Sequence, residues 1–588
     1  MKSDDILINK AFRSMLLVSV LATVAALLTV TVDSVITGQF LGADAVAATG
    51  LLSPVTMLFG MFGTVLGAGL GLTCVQYMGM ADLKKVNGTF SAAVLLAVSA
   101  SAVLALAMFF LAPVLGRLAG ASGENAALLP LITDYLRGYA PCLPGLYLTM
   151  VLSSVMAADS DQMRALAGMC VTFLADLVLD LLNVLVFHGG MFGMAVASTL
   201  SQYAAVAVLL LHFRKPGRLL RFTPRALLPG ELKNVILSGL SMVISQTAVS
   251  LRRLGLNRYF LSLGGRAAVA SLTISQSVFV LMAAVGMGIM TAASSAAALF
   301  YGERDRNGLT VLTRLAAKTS VKMLLITAVA AIAAAPVLAR LFLSDPSLDL
   351  TEATRLIRVQ AIQILLVALP YAVIGIYQGM KRLSLSYPLT VLQDGLLPLA
   401  AVVGLGSLFG LRGAELGFPA AGALSLLAVV LVARVLGGRF PRSLSDLAPL
   451  SPDFGARPED LCEVTIHSMD EVLAASEAAR QMCLRCGADR RTTLLLALFV
   501  EEMAGNVILH GFSKDDKSHT IAMRLIREDE GWTIRLRDDC RPFDPVRWLE
   551  ENHPEDPLRN VGIRLVVGMA KEVQYLSVLN MNNLIIRL

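Results

Sequence analysis

The sequence predicts an all-α polytopic membrane body of 12 transmembrane helices in two six-helix pseudo-symmetric bundles, followed by a cytoplasmic α/β sandwich domain. Three observations predict it. Long apolar runs recur through the first three quarters, charge is concentrated in the last quarter, and two stretches of the body repeat one another. Charged residues are 16% of the chain, against roughly 25% in soluble domains, and mean hydropathy is +0.70. Residues 1–451 hold 32 basic and 20 acidic side chains, whereas 452–588 hold 17 and 23. A sparse basic body is thus joined to a dense acidic tail: 1–436 body, with halves about 10–213 and 231–436, then 437–459 linker and 460–588 tail domain.

Apolar runs of about 20 or more residues fall near 12–40, 50–78, 88–115, 130–157, 162–187, 191–213, 231–262, 268–300, 312–343, 352–380, 385–410 and 414–436. The start, "MKSDDILINKAFRSMLLVSV", carries acids where a cleavable leader needs a clean basic region, and it runs straight into the first span. Basic loops follow even-numbered spans: Lys84 and Lys85, "HFRKPGRLLRFTPR", Arg304 and Arg306, and Lys381 and Arg382. The positive-inside rule then puts both termini in the cytoplasm of a multi-pass protein of the cell membrane. "GLTCVQYMGMADLKK" and "ASSAAALFYGERDRNG" close spans two and eight, with Asp82 and Asp305 separated by 223 residues and Pro144 and Pro370 by 226. Duplicated six-helix halves of this kind build many secondary transporters, with the substrate site between them.

Four ordered motifs sharpen this: "VDSVITGQFLGADAVAATGLLSP" at 32–54, "QYMGMADLKK" at 76–85, "YLRGYAPCLP" at 135–144 and "LADLVLDLLNVLVF" at 174–187. Together they resemble the multidrug and toxic compound extrusion (MATE) transporters over about 10–436. An ionised carboxylate within a span is expensive and marks function by default. Asp33 lies in span one, and Asp176 and Asp180, four apart, share one face of span five. The resemblance implies that Asp33 and Asp180 belong to a proton or sodium site; Asp176 stands where many relatives have asparagine. Arg252 and Arg253 in span seven and Asp394 in span eleven either line a substrate cavity in the second half or pair structurally. The resemblance implies an H+- or Na+-coupled antiporter that exports small organic compounds; its partners are a small-molecule substrate and the lipid bilayer, with no nucleic acid.

In the tail, "LLLALFVEEMAGNVILHG" places Glu502, Asn506 and His510 at four-residue intervals, one polar stripe on an apolar helix that Gly511 stops. A strand-like "WTIRLRDDCRPFDP" and a glycine turn opening a helix in "RNVGIRLVVGMAKEVQY" follow. These pieces resemble the Bergerat-type ATP-binding domain of anti-sigma-factor serine kinases and histidine kinases. The resemblance implies ATP and Mg2+ as cofactors: Asn506 as the Mg2+ ligand, Glu502 as the catalytic carboxylate, Asp538 on the adenine amino group, and His510 and Gly562 beside the nucleotide. Two glycine motifs depart from the family, reading Asp538-Asp539-Cys540 and Arg559-Asn560-Val561-Gly562. Each lost glycine puts a side chain where backbone would approach the nucleotide, so residual ATPase or protein serine kinase activity stays open beside simple binding. Cys483 and Cys486, a lone close pair, read as ordinary thiols. No Gly-x-x-x-x-Gly-Lys-Ser/Thr loop occurs, which excludes an ABC-type pump. Two functions remain: a transporter whose tail regulates it, or a membrane sensor whose tail is a serine kinase or protein-binding switch acting on a cytoplasmic regulatory protein.

Overall fold

A computed structural model describes residues 4–214, 218–341, 351–512, 519–528, 531–552 and 561–588. Arg559 and Asn560 of the second glycine motif, and part of the basic loop after span six, lie outside the described residues.

The first half runs α1 (Asp4–Ile36), α2 (Ala43–Gly79), α3 (Leu83–Leu118), α4 (Leu129–Tyr139), α5 (Cys142–Ala158), α6 (Gln162–Leu182) and α7 (Gly190–Leu210). The second runs α8 (Leu232–Gly302), α9 (Arg306–Leu341), α10 (Thr351–Leu366), α11 (Ala368–Gly379), α12 (Leu383–Val391) and α13 (Leu397–Gly437). Among the described residues ten helices are long and apolar enough to cross a membrane, and two bent pairs, α4–α5 and α10–α11, qualify as further spans. One of the ten, Arg490–Gly511, belongs to the tail, and the stretch Leu383–Gly437 holds two crossings parted at Gly410, so the body has twelve. α8 likewise folds back at Gly264–Gly265 and supplies spans seven and eight. The bends of 50° and 45° have one cause. Pro144 and Pro370 each occupy the third position of the second limb, where a proline is tolerated but its ring excludes a continuous helix behind it.

The halves meet tightly on the face where the tail lies. A Cβ on Gly302 would come 2.2 Å from the Gln76 carbonyl oxygen, and one on Gly79 would come 2.4 Å from that of Leu299. Deeper in, a Cβ on Gly69 would come 1.9 Å from the Val235 carbonyl and one on Gly239 would come 2.0 Å from that of Val65. α2 of the first half is thereby pressed against both limbs of α8, which only glycine permits at these points.

The tail is an α/β sandwich. Its strands are β1 (Leu461–Ile466), β2 (Ile521–Glu528), β3 (Gly531–Asp538), β4 (Glu572–Val578) and β5 (Met581–Arg587), in the order β1-β2-β3-β5-β4, every pair antiparallel. α14 (Met469–Arg485) and α15 (Arg490–Gly511) cover one face through Val472, Met482, Phe499, Val500 and Met503, packed on Met523, Ile534, Leu536 and Ile586. Two short helices, α16 (Pro545–Asn552) and α17 (Val561–Met569), flank the sheet.

The middle of the other face of the sheet is pressed onto the body. Four hairpin turns of the body on this side share one geometry, each with a positive-φ residue: Ala81 (58°), Ser160 (50°), Arg304 (52°) and Lys381 (53°). Arg535 donates from Nη2 to the Gly79 carbonyl at 3.2 Å. The Leu579 amide donates to the Ala158 carbonyl at 3.3 Å, and the Asn580 amide donates to Ser160 Oγ at 3.0 Å. Arg537 pairs with Glu303 and, at 2.8 Å, with Asp305; Arg524 Nη1 lies 3.3 Å from the same Asp305 oxygen. The fourth turn is held by residues 438–460, which behave as a strap more than a spacer. Arg382 Nη1 donates to the Pro449 carbonyl at 2.7 Å, Arg306 donates to the carbonyls of Ser451, Pro452 and Phe454, and Phe454 stacks on Tyr301 at 5.2 Å.

Two features of this docking carry a local cost. Leu579 and Asn580 form the two-residue turn between β4 and β5 with φ of 54° and 61°, the geometry that favours Asn-Gly. A leucine there costs about 1–2 kcal/mol, and its side chain, 1% exposed, is buried against the body. Arg524, Arg535 and Arg537 are also buried, and removing one partner of such a buried ion pair costs roughly 3–5 kcal/mol.

Two expectations follow. Gly302→Val drives a side chain into the Gln76 carbonyl and lowers the stability of the purified protein by about 1–3 kcal/mol, read by thermal unfolding. Burial pushes the Asp305 carboxyl up, but Arg524 and Arg537 more than offset it and hold it down at about 2, below the ordinary 3.8. A depressed carboxylate stabilises docking above its free value and loses that contribution as pH falls through the docked one. Cleavage of residues 438–460 by added protease should therefore be unchanged between about pH 8 and 5 and should rise only from 3.8 toward about 2.

Candidate functional site

The body brings its sequence-predicted acids together. Asp33 on α1 and Asp176 and Asp180 on α6 each place one oxygen within 4.8 Å of the others. Four-residue spacing aims both α6 carboxyls at α1, and a π-helical turn ends each of these helices just beyond, at Thr37–Leu41 and Asn183–Phe187. The second turn is closed by Asn183, which donates to the Gly190 carbonyl at 3.1 Å and accepts from the Gly189 amide at 3.1 Å. Asp33 is half-buried; Asp176 and Asp180 are buried. Asp176 accepts from Ser201 Oγ of α7 at 3.2 Å. Neither Asp180 oxygen has a hydrogen-bond partner among the described residues. Three carboxyls at this spacing cannot all stay ionised without a cation or proton among them. Sequence reading missed Ser201 and the stacked pair Tyr135–Tyr139 of α4 at 5.7 Å. The signal was available in "YLRGYAPCLP", where the tyrosines are four apart.

The second half holds a different arrangement. Arg252 is buried with its guanidinium 6.0 Å from the Phe279 ring and makes no ion pair among the described residues. Asp394 lies in a π-helical turn, Leu392–Leu396, and accepts from Ser245 Oγ at 2.5 Å. Arg253 is exposed, so the adjacent arginines face different surroundings.

In the tail, α15 is capped by Asp489, which accepts from the amides of Arg491 and Thr492. Its polar stripe divides: Glu502 and Asn506 are half-buried, whereas His510 is exposed. A Cβ on Gly562 would lie 1.8 Å from Glu502 Oε2, so the two predicted elements meet where only glycine fits. Asp538, buried at the end of β3, accepts from Asn582 Nδ2 at 2.7 Å and from the Cys540 amide at 2.9 Å. Burial raises its carboxyl above the ordinary range against the pull of Asn582 and Cys540. Asn582 and Tyr575, which donates to Asn582 Oδ1 at 2.7 Å, escaped sequence reading because they sit in strands with no motif. Cys540, in place of the family's glycine, packs its sulfur 3.0 Å from where a Cβ on Gly511 would be. The donor set fits a nucleotide with Mg2+. An amide oxygen at Asn506 suits that hard ion, and the buried acceptor Asp538 suits an amino group.

Just past the end of β3, Asp539 faces the other way from Asp538. It pairs with Lys10 of α1 and accepts from the Thr520 amide at 3.2 Å, with His519 Nδ1 also 3.2 Å away.

The MatE family matches residues 18–182 and 242–396, more than half of the chain, and the histidine kinase-like ATPase domain matches 465–588. No curated relative matches. Solved structures share the fold of the body. A multidrug resistance MATE family transporter of the MOP superfamily in an outward-facing conformation is 22% identical, with TM-score 0.68 over 73% of this chain and 95% of that one. A MATE protein in complex with MaL6 is 21% identical, with TM-score 0.68 over 73% and 96%. A MOP superfamily transporter from Pyrococcus furiosus Vc1, described as having reversed polarity in its binding pocket, is 21% identical, with TM-score 0.66 over 73% and 95%. With its duplicated twelve-span body and its carboxy-terminal nucleotide-binding fold, the chain belongs to the MatE family of transporters and carries a histidine kinase-like ATPase domain.

Proposed function

We propose that the protein is an H+- or Na+-coupled antiporter that exports small organic compounds across the cytoplasmic membrane, with both termini in the cytoplasm and the tail acting there as a nucleotide-binding regulator. The observation that carries the reading is Asp180, whose two buried oxygens lack hydrogen-bond partners within 4.8 Å of two further carboxyls. A carboxyl so placed is stabilised by an arriving proton or cation and destabilised by its departure, which gives the ion a differential affinity for two states of the half-bundle. Loss of the ion leaves three like charges facing one another across α1 and α6. Repulsion then favours a different packing of those helices, and that change is how ion flow is coupled to the opposite movement of substrate. Substrate selection falls to the central cavity, to which Arg252 and Asp394 contribute from the second half.

In the tail, Asp538 would hold the adenine amino group, Asn506 would hold Mg2+ against the phosphates, and Glu502 would face the attacking group. Bound MgATP supplies a polarised terminal phosphate. Cys540 in place of the family's glycine would narrow that approach, which favours binding for control over rapid turnover.

In vesicles under an imposed ion gradient, Asp33→Asn with Asp180→Asn should abolish gradient-driven efflux of organic cations, and unchanged efflux would remove this mechanism. Ending the chain at about residue 445 should leave efflux running; a truncated protein that binds substrate but never moves it would favour the sensor reading. Titrating the full-length protein with ATP should show Mg2+-dependent binding that Asn506→Ala weakens at least about tenfold, the loss typical even of groups that only support a metal's ligands; equal affinity in both proteins would rule out Asn506 as the ligand.

A further inference from the structure

The docking face of the tail has no part in holding nucleotide, yet it is the most heavily charged buried surface in the described chain. Arg524, Arg535 and Arg537 on β2 and β3 meet Glu303 and Asp305 of the body and Glu463 of β1, three guanidiniums against three carboxylates. Arg524 Nε donates to Glu463 at 2.8 Å, and Asn583 Nδ2 donates to Glu303 at 2.7 Å. Glu303 and Asp305 belong to the second half. The first half is held by the same sheet, at Gly79 through Arg535 and at Ala158 and Ser160 through the β4–β5 turn. One rigid antiparallel sheet therefore bridges the two halves, directly over the glycine contacts that close them on this side.

Alternating access requires the halves to part there. They cannot part while three of the four matched turns are fastened to one sheet. We infer that the tail is a bolt: docked, it locks the cytoplasmic side of the transporter shut, and each opening to the cytoplasm requires its release. This rests on the reading of the body as an alternating-access transporter and deepens the regulatory part of that reading.

Strand alternation connects the bolt to the nucleotide pocket. Side chains along β3 point to opposite faces in turn. Arg535, Arg537 and Asp539 reach the body, and Asp538 between the last two enters the pocket. Its cross-strand partner Asn582 adjoins Asn583, which grips Glu303. A ligand that draws on Asp538 and Asn582 acts on backbone shared with Arg537, Asp539 and Asn583. Nucleotide occupancy thereby sets the strength of docking.

Spin labels at exposed Lys84 and Lys233, one in each half on this side, measure the gate in full-length protein whose native cysteines have been replaced. The unmodified docking face should give one narrow distance. Arg537→Glu should add a second, longer population, whereas Arg537→Lys, which keeps a positive charge facing Glu303 and Asp305, should keep the narrow one. Adding MgATP should change the ratio of the two populations, and Asp538→Ala should abolish that response. If Arg537→Glu releases the tail, seen as faster protease cleavage of residues 438–460, while the Lys84–Lys233 distance stays narrow, the tail is no bolt. If the distance responds to Arg537→Glu but never to MgATP, the coupling through β3 is wrong even though the bolt stands. Loss of transport in Asp33→Asn with Asp180→Asn is independent of either result, so failure here leaves the antiporter reading intact.

Discussion

A guanidinium buried between two domains is stable only if carboxylates meet it, and the arrangement of this protein turns on that requirement. Arg535 and Arg537 leave β3 toward the body and find Glu303 there, with Asp305 beside it, both just past the end of α8. Burial lowers Arg535 to about 10 against the support of Glu303, still far above neutrality, so this guanidinium stays charged in a cell. Apolar residues of the same volume would often hold two surfaces together as well or better. What ion pairs add is register: Arg524, Arg535 and Arg537 meet Glu303 and Asp305 of the body in one docking position, while Glu463 of the same sheet holds Arg524 from behind. The sheet is thereby fixed over both halves of the body, and a surface that in many sandwiches faces water becomes a structural joint.

The body was legible in the sequence because its physics is one-dimensional. A membrane span must satisfy its backbone internally and cover its surface with apolar side chains, so twelve crossings show as twelve runs. The paired aspartates of α6 showed for the same reason, as charges where none is tolerated without use. Pro144 and Pro370 stood out only as matching points of the repeat; that a bend falls just before each is visible in the structure alone. In the tail, helical spacing brought out Glu502 and Asn506, but it could not say that His510 would be left exposed.

Docking was invisible for an equally physical reason. "IRLRDD" has the alternation of an ordinary strand with one wet face, and nothing local distinguishes an arginine that meets water from one that meets an acid 232 residues away. The partners of the intramembrane acids were hidden similarly: Ser201 reaches Asp176 from another helix, and hydroxyls are common in spans. Asn582 could have been suspected only by pairing β5 with β3, because its role comes from lying opposite Asp538.

Reciprocity follows from a joint of this kind. If nucleotide in the tail alters how firmly the halves are held, then the state of the halves alters nucleotide affinity by the same factor. The regulator and sensor readings are then two uses of one coupling, and they differ in which end the cell drives.

Cross-linking across the joint tests this account most directly. Ser160 of the first half and Ser577 of the tail bring their hydroxyl oxygens to 3.2 Å, so cysteines at both positions should form a disulfide in membranes. Because the sheet docks as one unit, Asp305→Arg in the other half should sharply reduce the yield of that bond. A bond that never forms, or one that forms equally well with Asp305→Arg, would contradict the account.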